Sequence, residues 1–196
     1  MTAIVEPTLA PPGAGLPPLE LLIGRALFRW RRLRGDRDFF TADFQRQRSA
    51  IAALLASCDP ETGARRVLIR RPPGLEDSSR YWSIWMTLDH LRIIHKGFVG
   101  VIEALLKGVV PPGRASTAAV KPSPEATAAV RAEYEKSCDD LLAIIAAAPD
   151  LNTRVCYEHP WFGPLNAAGW HALAGNHMSI HRVQIEKILQ GLNKKH

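Results

Sequence analysis

HALAGNHMSIHRVQIEKIL, residues 171–189, decides the fold. Its apolar residues recur at helical spacing, and the stripe they draw is not purely apolar. At about 100° per residue, with His177 set to zero, Trp170 falls near +20°, Leu173 near −40° and His181 near +40°. Gln184 falls near −20°, Ile188 near +20° and Leu192 near about +60° by the same rule. Trp, Leu and Ile on one arc mark a face that seeks a core. Its middle nevertheless carries three polar side chains, and each would cost about 1–3 kcal/mol if buried without a partner. Something must compensate them.

The helix YWSIWMTLDHLRIIHKGFVGVIEALL, residues 81–106, supplies a second polar group of the same kind. With His90 as zero, Met86, Ile94, Gly97, Val101 and Ala104 all lie within about 40° of it and Leu105 near 60°. His90 sits roughly nine residues into its helix, and His177 and His181 roughly eleven and fifteen into theirs, so all three reach mid-bundle depth. The i, i+4 spacing sets the His177 and His181 imidazoles about 6 Å apart, which suits two ligands of one metal ion. Periodicity leaves two readings open: a three-His metal site, or three core imidazoles held by hydrogen bonds. Gln184 divides the same way, between a group steadying an imidazole or a bound water and an amide satisfied by backbone. His95, at about 140° from His90 and beside Arg92 and Lys96, is expected in solvent. His171 falls on the flank of its helix, His159 in the loop before it, and His196 at the chain end.

Helical patterns dominate the rest. A first helix is read over about 19–34, ending at Gly35, and a second over about 38–58, ending before Asp59-Pro60. RRVLIRR, in the connection that follows, reads as a short extended piece. The stretch 108–123 holds Pro111, Pro112 and Pro122, so it reads as a long crossover. Ser123-Pro124-Glu125 has the signature of a helix start, with Ser123 as N-cap, and the helix is read to about 147. HPWFGPLN reads as a loop leading to Asn166, the cap of the last helix. The fold class is all-α: a four-helix bundle with a long crossover between the second and third bundle helices, plus an N-terminal accessory helix. The chain divides into a flexible Pro-rich leader (1–18), the accessory helix (19–35) and the bundle (36–196).

Composition narrows the class. An apolar fraction of 46% and a charged fraction of 22% are ordinary for a globular protein. No apolar run approaches the roughly 20 residues of a membrane span, and the start of the chain lacks the basic and apolar regions of a signal peptide. Three widely spaced cysteines, Cys58, Cys138 and Cys156, without a CxxC pair, fit a reducing cytoplasm. The net charge of +6 raises the question of nucleic acid. Arg25, Arg29, Arg31, Arg32 and Arg34 crowd the first helix, as in a phosphate-binding arm. The same helix reads more simply as solvated, with Leu22, Ala26, Leu27 and Leu33 packed on the body, because no nucleic-acid motif accompanies the arginines.

NHMSIHRVQIEKIL resembles the closing helix of the DinB/YfiT-like superfamily, with its H-x-x-x-H followed by Arg-x-Gln. YWSIWMTLDHLRIIHKGF is similar to that superfamily's second bundle helix, and HPWFGPLNAAGW to the segment entering its last helix in one branch. The resemblance covers about 38–192 and not the residues before it. It implies a four-helix bundle with the long crossover, a divalent metal ion on three histidines, carried here by His90, His177 and His181, and a homodimer. It also implies relatives that include thiol-dependent S-transferases and isomerases.

Open imidazole coordination suits zinc or nickel and favours chemistry over a purely structural site. The expected function is a metal-dependent enzyme, a hydrolase or low-molecular-weight-thiol transferase, acting on a small-molecule substrate. The alternative is a non-catalytic metal- or ligand-binding bundle serving stress response or protein interaction. Tyr81, Trp82, Trp161 and Phe162 are candidates for the pocket border, or else core and loop packing. No catalytic base is identified, since Asp89 points about 100° away from His90 and Glu186 lies opposite His177.

Overall fold

A computed structural model describes residues 6–193. It begins with α1 (Pro18–Arg34) and continues through α2 (Arg37–Leu55), the short α3 (Pro60–Ala64), α4 (Ile84–Leu106), α5 (Val130–Ala147) and α6 (Ala167–Asn193). Two small antiparallel hairpins interrupt them. β1 (Val67–Leu68) pairs with β2 (Tyr81–Trp82), and β3 (Tyr157–His159) pairs with β4 (Gly163–Leu165). Helices α2, α4, α5 and α6 form a four-helix bundle, and the long crossover runs between α4 and α5.

Local chemistry starts the bundle helices. The Asp36 carboxylate accepts the Phe39 amide at 2.9 Å, the Ser83 hydroxyl accepts the Met86 amide at 3.1 Å, and the Asn166 side chain accepts the Gly169 amide at 2.9 Å. Each satisfies one of the orphan donors of a first helical turn, which is worth about 1 kcal/mol. Helix α6 packs between α2 and α4, while α5 lies against the other side of α4. A Cβ at Gly175 would stand 2.9 Å from an Asp43 carboxylate oxygen, so glycine lets α2 and α6 approach closely. Arg48 of α2 closes the bundle by reaching Glu135 and Asp139 of α5, both at 2.6 Å. Phe44, Ile51, Trp85, Leu88, Leu141 and Ile188 lie in the buried centre.

Four readings need correction. Helix α2 stops at Leu55 rather than 58, because the Asp59 carboxylate caps the separate α3 by accepting the Thr62 amide. Helix α5 starts at Val130 rather than Ser123. Ser123 spends its amide on Asp89 and its hydroxyl on the Glu125 amide, a local turn that competes with the helix. HPWFGPLN is not a plain loop but the turn and second strand of a hairpin, with Gly163 at φ 72°.

The fourth correction concerns α1, whose orientation is the reverse of that expected. Leu22, Leu27 and Leu33 are exposed, as is Ala26, and Phe28 is the residue α1 buries. The arginines do the docking instead. Arg25 donates to the Trp161 carbonyl, Arg31 pairs with Asp43, and Arg32 reaches the Asn166 side chain. Of the leader, residues 1–5 lie outside the described residues, as do 194–196 at the other end. In 6–17 the Ala10 amide donates to Asp77 at 2.8 Å and the Gly13 amide to Glu76 at 3.4 Å.

Candidate metal centre

Three imidazoles meet where α4 and α6 pack. The Nε2 atoms of His90 and His177 are 3.3 Å apart, and those of His181 and His177 are 3.2 Å apart. One ligand atom from each of the three residues lies within 4.8 Å of the others. His90 and His181 are buried and His177 is half-buried.

The far side of two rings fixes their tautomers. His90 donates from Nδ1 to the Val120 carbonyl at 2.7 Å, and His181 donates from Nδ1 to the Gln184 side-chain oxygen at 2.7 Å. Gln184 is itself oriented, since its amide donates to the Ser79 carbonyl at 2.8 Å. With Nδ1 protonated, Nε2 of both rings is a lone pair aimed into the cluster. His177 carries at most one Nε2 proton, so it cannot satisfy both neighbours, and its Nδ1 has no partner. A cation resolves the conflict. Nitrogens each about 2.0–2.1 Å from one tetrahedral ion stand roughly 3.3 Å apart. The observed separations match that figure, so the residues present fit a divalent metal.

Electrostatics point the same way. Burial lowers the His90 pKa to about 4. Burial, together with the charge each ring would impose on the others, drives His177 and His181 well below the usual histidine value. All three are therefore neutral at pH 7, the protonation state that metal binding requires.

The predicted surroundings divide. Trp82 packs behind the cluster, its ring parallel to His181 and 5.2 Å from His90 between centroids. Trp161 and Phe162 line a chamber of about 740 Å³ that opens above the three histidines. Neither Trp82 nor Tyr81 lines it; the half-buried Tyr81 ring lies beside the Arg66 guanidinium, because strand alternation turns it away from Trp82.

Two of the other histidines, His95 and His159, depart from their expected settings, and His196 lies outside the described residues. His95 is fully buried instead of solvated, donating from Nδ1 to the Ser137 hydroxyl at 3.0 Å. Helix α4 is covered by α5 as well as α6, so its buried arc is wider than the single stripe through His90. His171 is buried beside Thr41 of α2. His159 ends β3, and its Nδ1 accepts the Trp161 and Phe162 amides at 3.2 and 3.4 Å. It also lines the chamber, a position missed while its hairpin was read as loop. The only available signal was the run of aromatics on either side of it, Tyr157, Trp161 and Phe162.

The family model described as the DinB superfamily matches residues 31–185. The solved structure of TT2238, described as a four-helix bundle protein, is similar in fold with a TM-score of 0.56. It is 21% identical and the match covers 77% of this chain and 98% of that one, a likeness of fold alone. No curated protein matches the chain.

Proposed function

The chain belongs to the DinB superfamily, and from that premise we propose that His90, His177 and His181 hold one divalent ion, zinc or nickel, in the open site of a metal-dependent enzyme of hydrolase or thiol S-transferase type. The observation that carries this reading is the convergence of three imidazoles, with the His177 Nε2 3.3 Å from that of His90 and 3.2 Å from that of His181, the latter two deprotonated by their Nδ1 partners. The ion would supply Lewis acidity to a substrate group or lower the pKa of a bound water. The chain's own residues would set it in place: Val120 and Gln184 orient two imidazoles, and Trp82 excludes water behind them.

A specific observation favours the second reading, a non-catalytic metal- or ligand-binding bundle of stress response or protein interaction. The carboxylates nearest the site are committed. Glu76 accepts from Thr117, Lys121 and Ser78, Glu20 from Arg71 and the Gly74 amide, and Asp89 from Arg92 and the Ser123 amide. A catalytic version of the site would draw its base from metal-bound water.

A homodimer is part of the proposal, supported by exposed Leu22, Trp30 and Leu33 on the outer side of α1. A cytoplasmic setting is supported by the three free cysteines. Among the described residues no helix is long and apolar enough to cross a membrane. Nucleic acid is disfavoured as a partner because three of the five α1 arginines are engaged within the fold.

Elemental analysis of protein purified without an affinity tag tests the site. About one zinc or nickel per chain is expected, with none in His177→Ala, since two imidazoles leave the ion half-coordinated. Equal metal in both would overturn the assignment. Transfer assays with glutathione, bacillithiol and mycothiol then separate the enzyme from the passive metal protein.

A further inference from the structure

We propose that the chamber above the three histidines takes an amphiphile, with an anionic metal-binding head (a carboxylate or thiolate) at the imidazoles and an apolar tail running out along α1. This rests on the reading that the histidines hold a divalent ion, and it adds the class of molecule that meets it.

The chamber's volume of about 740 Å³ lies within the range that encloses most of a drug-sized ligand. Every element around it contributes apolar side chains to a mostly apolar wall: Ile94 and Phe98 from α4, Leu173 and Ile180 from α6, Phe28 from α1 and Phe162 from the β3–β4 turn. The apolar lining does not stop at the surface. Leu19, Ile23 and Leu27 of α1 also line the chamber, yet they are 69%, 51% and 60% exposed. A continuous apolar track therefore leads from solvent to the histidines, and a hydrocarbon tail would cover surface that otherwise stays wet.

Charged side chains on the walls are already paired. Arg31 is bound to Asp43, Lys121 to Glu76 and Glu20 to Arg71. A small substrate bearing several charges would find none of these groups free to neutralise it, and burying it there would be costly. The floor is different. Three neutral imidazoles leave the full charge of a divalent ion uncompensated, which one anionic ligand atom relieves. Asn176, half-buried on the chamber wall, adds an amide donor.

Most of the α1 wall of the chamber lies outside the family match, which starts at residue 31, whereas the chamber-lining residues of α1 begin at Leu19. The α1 wall thus belongs to the part of the chain that the family model does not describe. At its centre is Gly24, half-buried on the chamber wall, where an added Cβ meets nothing within 4 Å. A side chain grown from that position enters open space rather than backbone, and replacing a helix-interior glycine also favours the helix.

Calorimetric titration of the full chain with decanoate and with acetate, with metal content measured on every sample, tests the proposal. Decanoate should bind at least about 100-fold more tightly than acetate, because its methylenes leave water. Gly24→Phe should weaken decanoate by about tenfold or more by occupying tail space, with metal content unchanged. Ile23→Glu, at an exposed rim position that leaves the core untouched, should weaken it as well, while Leu33→Ala on the far side of α1 should not. Decanoate binding no tighter than acetate to metal-loaded protein would overturn the proposal, as would Gly24→Phe and Ile23→Glu both binding like wild type. Absence of metal from every sample would instead overturn the metal site, and the two rim and wall variants would still decide whether the tail lies in the chamber.

Discussion

His90 and His95 stand five residues apart on one helix, both buried, and only one of them reads as a ligand. His90 faces α6 and finds two more imidazoles there, with lone pairs that cannot satisfy one another. His95 faces Phe44 of α2 and Ser137 of α5, donates to the serine hydroxyl, and leaves Nε2 unpartnered in an apolar setting. Burial lowers both, to about 4 for His90 and about 3 for His95. The shift therefore does not separate them. Convergence of deprotonated nitrogens does, together with a chamber to deliver a ligand. Burial makes a histidine neutral; neighbours make it a ligand.

The contrast can be broken most decisively by removing the metal. A cation bound only to the folded chain stabilises it by about 4 kcal/mol at a thousandfold excess over Kd. EDTA should therefore lower the melting temperature of metal-loaded wild type and leave His177→Ala unmoved. If both shift alike, the His90 cluster is no different in kind from His95.

The next effect belongs to His95 alone. His95→Ala empties a sealed space between α2, α4 and α5 and should cost about 2–3 kcal/mol in denaturant unfolding. Metal content should remain that of wild type. Loss of metal in this variant would merge the two regions into one functional unit.

Acid should give the smallest effect and the sharpest comparison. A histidine whose folded pKa is depressed is stabilising in full above its unfolded value of about 6.5, and that stability drains away as pH falls toward the folded value. For His95, with a folded value of about 3, the loss reaches about 2 kcal/mol at pH 5. Metal-free wild type should thus lose stability between pH 6.5 and 5 more steeply than metal-free His95→Gln, by about one proton in the slope. Equal slopes would show that His95 is hydrated and titrates freely.

The residues legible in the sequence are those that sit on a regular apolar stripe of their own helix. Periodicity placed His90, His177, His181 and Gln184 on inward stripes because α4 and α6 are regular where those residues sit. It failed on His95 because a helix covered on two sides has no single inward direction. It failed on α1 for a different reason. The leucines of α1 look like a docking face, but docking is carried by Arg25, Arg31 and Arg32, whose partners Trp161, Asp43 and Asn166 lie on other elements, two of them more than 130 residues away. Long-range polar pairing leaves no local pattern. The β3–β4 hairpin escaped for a related reason, since Pro160 and Pro164 mask three-residue strands that only their pairing reveals.

Val120 and Ser79 have a further consequence. Each contributes a main-chain carbonyl, one to His90 directly and one to His181 through Gln184. Every amino acid owns such a carbonyl, so the orientation of two imidazoles is indifferent to the side chains at 79 and 120 and sensitive to the path of the chain through them. Inserting or deleting one residue in the crossover would turn the His90 ring, which makes loop length, rather than loop sequence, the heritable variable that tunes this centre.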